Sequence, residues 1–304
     1  MANQLRNYSK DFEMMKNKSY LKNASVIKIL NSKTITFILL YVLFIWNMSK
    51  PYLKFVIEKG EGMTWCIFPY LMTSYYLIGM FYFGIIYINS DVPFMQYENL
   101  YQVIRTGRKR WALYQLTGIL IRSIFITFAV VIGSIIPFVG HLLISNDWGK
   151  VVYTLANTRR LDGFYKENMV MFRFYPEAVM KFTPFKLMFV TMLICILITT
   201  LIGVLMYFIS LYLGKIMAVS LSFASVILLY VVENTMPAAR LAAAKVVPFY
   251  WIEVALMYTK NNGYTRLPSL VYMITVLIAI IAILSFLIYR KIMKMEFYWE
   301  NEDA

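Results

Sequence analysis

The sequence is poor in the residues that usually carry chemistry. Its 304 positions include one histidine and two cysteines. Cys66 and Cys195 cannot build a disulfide framework and lack metal-ligand spacing, so they read as small hydrophobes in or beside apolar runs. His141 alone makes no metal cluster, and no serine or cysteine nucleophile is evidently paired with it. No G-x-x-x-x-G-K-[ST] loop is present to cradle a nucleotide phosphate, and neither H-E-x-x-H nor G-x-S-x-G occurs. The expectation is therefore a chain with no catalytic residues, no metal and no cofactor of its own. Acidic residues are scarce too, 16 Asp and Glu against 30 Lys and Arg, a formal charge of +14. No carboxylate sits centrally in an apolar run, which leaves a proton- or sodium-coupled carrier little to work with. The positive charge comes without a zinc finger, RNP motif or basic-region helix, which argues against nucleic acid. Basic residues flanking membrane helices and meeting anionic headgroups explain it better.

What the chain has is apolar surface. It is 60% hydrophobic and 17% aromatic, with a mean hydropathy of +0.62, where a soluble domain would be roughly half apolar. The excess lies in six runs, so the expected class is an all-α polytopic membrane protein. The runs cover about 34–48, 65–88, a stretch from Trp111 to about 142, 187–213, 216–232 and 270–289. The first is short for a bilayer that needs about 20 residues, and the third is too long for one untilted span. Residues 1–33 form a polar N-terminal region without the apolar core of a signal peptide. There Phe12, Met15, Tyr20, Leu21, Val26, Ile27 and Leu30 alternate with lysines, which suits a helix lying on the membrane surface. A solvated tail is the competing reading for 1–12. The expected organisation is an interfacial region at 1–33, six spans over 34–289 and a tail at 290–304. Basic residues near helix ends (Lys28 and Lys33, Arg105 to Arg110, Lys215, Arg290 to Lys294) fall on one side, which makes that side and both termini cytoplasmic.

Two external segments are large. Residues 143–184 carry mixed charge with Trp148, Tyr153, Phe164, Phe172, Phe174 and Tyr175, and read as a small structure over the third and fourth spans. Residues 233–267 are half apolar but interrupted by charge and by Pro237 and Pro248. They read as a segment dipping into the outer leaflet without crossing, with a seventh span as the alternative.

A few residues stand out as candidates. Charge inside an apolar run is costly and is a functional candidate by default. Arg122 lies about one-third into the third run, with snorkelling to the headgroups as the plainer reading. Glu233 closes the fifth run and can pair with Arg240 or Lys245 if the following segment turns back. Tyr76, Met80, Phe83 and Tyr87 share a face of the second run, and Ser222 and Ser225 lie on the fifth. These offer a pathway for an amphipathic substrate, against ordinary packing as the alternative. Between the second and third runs, Phe94, Tyr97, Tyr101 and Ile104 fall on one face of a short amphipathic helix that also holds Glu98. Gly107 then permits a sharp turn within the basic stretch from Arg105 through Arg108 to Arg110. A helix this short needs a membrane surface or a partner's groove to bury that face.

The N-terminal amphipathic segment, the six runs, the turn Tyr101-Gln-Val-Ile-Arg105-Thr-Gly-Arg-Lys-Arg110-Trp111 and the semi-apolar external segment together resemble the permease subunit of a bacterial ABC transporter of the exporter class. The resemblance implies a coupling helix at 93–105 that docks into a separate ATPase subunit through Phe94, Tyr97, Glu98, Tyr101, Arg105 and Arg108. It implies a connecting helix at 8–32, re-entrant outer helices at 235–260, and a second permease, identical or homologous, across a shared path. ATP and Mg would be bound by the partner ATPase, and the location would be the bacterial plasma membrane. The loop at 143–184 is longer than that pattern leads one to expect. An alternative is a membrane sensory or interaction protein that binds a ligand through its external loops, and a secondary transporter is another.

Overall fold

The computed structural model describes residues 31–90, 103–157, 170–261 and 263–295. The expected connecting helix within 1–33, apart from residues 31–33, lies outside the described residues, as do Phe94, Tyr97, Glu98 and Tyr101, loop residues 158–169 and the tail from 296.

The chain is mostly helical, and among the described residues five helices are long and apolar enough to cross a membrane: α1 (Ser32–Lys59), a helix beginning with α4 (Arg108–Ile135), α7 (Pro184–Leu213), α8 (Lys215–Glu233) and α10 (Leu270–Lys294). A shorter apolar helix, α3 (Tyr75–Asn89), packs among them. The protein is thus membrane-embedded and multi-pass. α7 is the axis of the bundle, touching α3, α4, α8 and α10. Of its most apolar stretch 67% is buried, against 17% for α10. Its start is capped by the Thr183 hydroxyl, which accepts from Lys186 N, with Pro184 in the first turn. Within it the hydroxyls of Thr191, Thr199 and Thr200 donate to carbonyls four residues back, at 2.8, 2.9 and 2.7 Å. That satisfies polar groups where no water is available. Gly214, at φ +84°, stops α7 and starts α8 at once, a left-handed conformation that glycine adopts without strain.

Two runs fold differently from their hydropathy. The first continues through Pro51 to Lys59, well beyond the apolar stretch, because Tyr52, Phe55 and Val56 face the core while Lys50 and Lys54 point outward. The second does not form one helix. Residues 63–64 make a strand, β1, paired in parallel with β2 (Leu142–Leu143). α2 (Phe68–Leu71) follows, and a turn at 72–74 precedes α3. Thr73 Oγ1 donates to Tyr70 O at 2.7 Å within that turn, offering the backbone a local alternative to helix. The third run ends in a 3-10 turn, Ile136–Phe138, at Pro137.

The segment at 143–184 caps one end of the bundle with α5 (Gly149–Ala156) and α6 (Pro176–Lys181). Trp65 Nε1 donates to Ser145 O at 3.0 Å, Trp148 Nε1 to Phe182 O at 2.9 Å, and the Tyr52 hydroxyl to Phe172 O. The segment at 233–267 contains no helix of crossing length. It holds α9 (Pro237–Val246), two 3-10 turns (Pro248–Ile252 and Val254–Leu256) and a small hairpin, β3 (Lys260–Asn261) with β4 (Tyr264–Thr265).

Charge is sorted by end. Lys33 donates to Ser90 Oγ at 3.1 Å, Arg108 to Met295 O at 2.9 Å, and Lys291 lies 4.8 Å from the Tyr212 ring centre. These contacts place the start of α1 beside the end of α3, and the start of α4 and the end of α7 beside the end of α10. Every described Asp and Glu (Glu58, Glu61, Asp147, Glu177, Glu233 and Glu253) lies towards the other end.

Close approach of α1 and α3 depends on Gly84, where a Cβ would collide with the Phe37 ring. Gly84→Val should destabilise the detergent-solubilised protein by about 1–3 kcal/mol, the cost of overpacking, and lower its melting temperature, whereas Gly118→Ala, in open space, should not.

Candidate functional site

The strongest concentration of buried charge joins the far end of α8 to the segment that follows it. Glu233 ends α8, Arg240 lies in α9, Tyr250 and Glu253 come from the 3-10 turns, and Arg266 follows the hairpin. Tyr75 opens α3 opposite them.

Arg266 is the centre. Its Nη2 donates to Glu233 Oε2 at 2.5 Å, to Tyr75 Oη at 3.2 Å and to Tyr250 Oη at 3.3 Å. Tyr250 in turn donates its hydroxyl to Glu233 Oε2 at 2.7 Å. Arg240 Nη2 donates to the Glu233 and Thr235 carbonyls at 2.6 and 3.3 Å, and its Nη1 lies 3.6 Å from Glu233 Oε1. Arg240 thus caps the exposed carbonyls at the end of α8, where a cation is favoured by the helix dipole. The expected pairing of Glu233 with Arg240 is present. Lys245 is exposed, and it is its carbonyl that accepts a bond, from the Tyr272 hydroxyl at 3.2 Å.

Glu253 is a different case. It is fully buried, and neither carboxyl oxygen has a hydrogen-bond partner among the described residues. Its nearest cation is Arg266, at 3.8 Å from Oε2 through the same Nη2 that holds Glu233. Burial pushes the Glu253 acid up to about 8; Arg266 and Arg240 pull it down, and Glu233 pushes it further up. Burial also raises the Tyr250 phenol, with Glu253 adding to it. For Arg266 burial acts downward, but Tyr250, Glu253 and Glu233 outweigh it and raise its pKa. The cluster sets two carboxylates beside one guanidinium nitrogen. It is built of acids, phenols and guanidinium groups, with no nucleophile among the members named.

The other candidate residues lie elsewhere. Arg122 does not reach to the surface. It is buried, and its Nη1 donates to Ile88 O at 3.3 Å and Asn89 Oδ1 at 3.2 Å, at the end of α3. Tyr76, Met80, Phe83 and Tyr87 line the one open face of α3, with Tyr76 66% exposed. Phe83 meets Phe223 of α8 with ring centres 5.1 Å apart. Ser222 is buried on the neighbouring turn, and Ser225 Oγ donates to the Ser222 carbonyl at 2.7 Å. Arg105 and Arg108 are exposed at the basic end, across the bundle from the cluster.

Sequence reasoning missed Arg266 and Glu253. Glu253 had a visible signal, a lone carboxylate in the otherwise apolar stretch from Pro248 to Met257. Arg266 had none, since only the hairpin brings it back across 33 positions to Glu233. Comparison with protein-family models, with curated proteins and with solved structures finds no match for this chain.

Arg266→Ala leaves Glu233 without its closest cation. The loss should be roughly 2–3 kcal/mol, below the usual cost of breaking a buried pair because both side chains keep some exposure. In denaturation of the detergent-solubilised chain, Glu233→Gln combined with Arg266→Ala should cost clearly less than the sum of the two single changes.

Proposed function

We propose that this chain is the membrane-spanning permease subunit of an ATP-driven exporter. The observation that carries the reading is the turn at residues 103–107. Val103 and Trp111 are buried in one cluster with Tyr207 of α7 and with Ile288 and Ile292 of α10. Ile104, Arg105, Arg108, Lys109 and Arg110 remain exposed, and Gly107 makes the reversal at φ +78°. A knob fixed to three long helices, with solvent-exposed side chains on its outer side, can pass a push directly to the bundle. A separate ATPase subunit is the partner this suits. Phe94, Tyr97, Glu98 and Tyr101 would extend the contact as a coupling helix, and ATP and Mg would be held by that subunit.

On this reading the basic end faces the cytoplasm of a bacterial cell, in keeping with basic residues clustered at helix ends. Both termini lie there. A second permease, identical or homologous, faces this one. The path between them runs along the open face of α3 and the adjoining α8, past Tyr76, Met80, Phe83, Ser222 and Ser225. Aromatic rings and thioethers offer a surface that tolerates many shapes, so the cargo is amphipathic: a peptide, a lipid or a drug-like molecule. The segment at 233–267, folded over the far end, would close the exit. Conformational switching would come from the partner's ATP cycle and not from chemistry in this chain.

A second reading has one observation in its favour. A hollow of about 440 Å³ on the capped end is lined by Trp65, Ile144, Ser145, Asn146 and Phe185. A sensory protein would bind its ligand there.

The test is purification of the full chain from its native membrane together with its companions. An ATPase subunit is expected among them. Reversing charge with Arg105→Glu and Arg108→Glu should reduce the permease's stimulation of that ATPase roughly tenfold, while the melting temperature falls by no more than loss of the exposed Arg108 to Met295 bond explains. If the ATPase binds the variant as well as the parent, the docking assignment is wrong. A preparation without any ATPase, in which an added ligand protects Trp65 and Phe185, would favour the sensor.

A further inference from the structure

Glu253 is the one described carboxylate with no exposure at all, and no hydrogen-bond donor among the described residues reaches it. An ionised carboxylate in such a place loses its hydration and gains no hydrogen bond in return, a cost far above that of the neutral acid. The groups facing it come from every side. Arg266 and Glu233 stand at the two ends of the folded-back segment, Arg240 lies in α9, Tyr250 in the adjoining 3-10 turn, Tyr75 and Tyr82 on α3, and Tyr175 before α6. Two carboxylates therefore compete for one guanidinium nitrogen. Arg266 Nη2 is in contact with Glu233 at 2.5 Å and stands off Glu253 at 3.8 Å. That unequal sharing is what the pair would adopt if Glu233 is charged and Glu253 is not, because like charges in one site drive one of them to take a proton.

We propose that Glu253 is a proton-binding site. The proton sits on one of its carboxyl oxygens in the arrangement described, and its release draws Arg266 from Glu233 towards Glu253.

The consequence is mechanical. Arg266 fastens the end of the folded-back segment to α8 through Glu233 and to α3 through Tyr75. When Glu253 is ionised, the guanidinium moves towards the charge that has no other donor. The Glu233 contact lengthens, and Tyr250 and Arg240 are left to hold the Glu233 carboxylate. The proton leaves as a hydrated proton to the aqueous side nearest the segment, and no bond other than O–H is broken. The segment at 233–267 then has a fastened form and a loosened form, selected by pH. Nothing in this depends on which partner meets the opposite end of the bundle.

The sign of the pH dependence is fixed by the direction of the shift. The folded chain holds the Glu253 proton up to about 8, whereas an ordinary carboxyl releases it near 4.5. Its contribution to stability is therefore greatest below the ordinary value, falls as pH rises from there towards 8, and is gone above it. Glu233, whose acid is lowered, contributes in the opposite sense at acid pH.

The experiment uses the full chain in lipid nanodiscs, titrated between pH of about 6 and about 9.5 to bracket the raised value. Infrared difference spectra report the carboxylic-acid C=O stretch, and hydrogen exchange reports protection of peptides from 233–267. A buried-acid band should be present at the acidic end, disappear with a midpoint near 8 and be missing in Glu253→Gln. Glu233→Gln should keep the band but move its midpoint down. Exchange in the segment, corrected for intrinsic pH dependence, should become roughly tenfold faster above the midpoint, the scale of one lost hydrogen bond to a charged group. It should stay slow throughout in Glu253→Gln. If the parent shows no acid band that titrates in this range, the proposal fails, even if the Gln variant does not fold. It also fails if the parent and a folded Glu253→Gln variant keep the same protection at the alkaline end.

Discussion

The contact between Arg266 and Glu233 closes a stretch of 33 positions on itself, and the shape of one end of the molecule depends on that closure. The stretch is too broken to be a helix and too apolar to be an ordinary loop. Irregular backbone of this kind survives beside lipid only when its polar groups find partners. Side chains supply them. Tyr82 of α3 donates to the Phe249 carbonyl at 2.7 Å, Trp251 to the Ala244 carbonyl at 2.6 Å, and Tyr272 of α10 to the Lys245 carbonyl. Trp251 ties the segment to itself, and Tyr82 and Tyr272 hold points of it against the bundle. Arg266 does so with charge, reaching Glu233, Tyr250 and Tyr75 from one nitrogen, and it is the member on which the arrangement of the others turns.

The two ends of the bundle are built on different principles. At the basic end the exposed cations stand around a small apolar cluster, and the buried Arg122 serves the last carbonyls of α3. Its charge offsets the dipole of that helix from within the protein, which explains why it does not extend towards the headgroups. At the other end, cations and carboxylates are interleaved and aromatic rings do the filling, as where Phe174 meets Tyr52 and Phe172 edge to face and Tyr70 at a tilt. α7 joins the two and has almost no polar surface of its own to spare.

How much of this could be read from the residues varies with the kind of information involved. α7, α8 and α10 follow from uninterrupted apolar composition, and their limits fall within a few residues of the runs, because Pro184, Gly214 and the terminal basic residues are local stop signals. The extension of α1 past Pro51 was missed, since hydropathy averages over a helix whose two faces differ. The break before α3 was missed for the opposite reason. The stretch from Trp65 is apolar enough for a straight helix, and it is the pairing of Met63 and Thr64 with Leu142 and Leu143 that pulls it out of line. Of the candidate cluster, Glu233 and Arg240 were legible because seven positions and one turn separate them. Arg266 was not, because its place is set by tertiary folding alone. Tyr76, Met80, Phe83 and Tyr87 were legible as a stripe, and the structure adds that the stripe is the open face of α3.

The same break has a bearing on how the protein meets its bilayer. α3 is 15 residues long, about 22 Å at the usual rise. α7 has 30 residues, about 45 Å, against a hydrocarbon layer of about 30 Å. Helices so unequal cannot all match one thickness. In thicker or thinner lipid the long helices adjust by changing tilt, whereas α3 has no spare length and follows one turn after the buried α2. Hydrophobic mismatch is therefore not shared evenly. It is felt as shear along the line where α3 meets its long neighbours, which makes acyl-chain length a physical input to this fold.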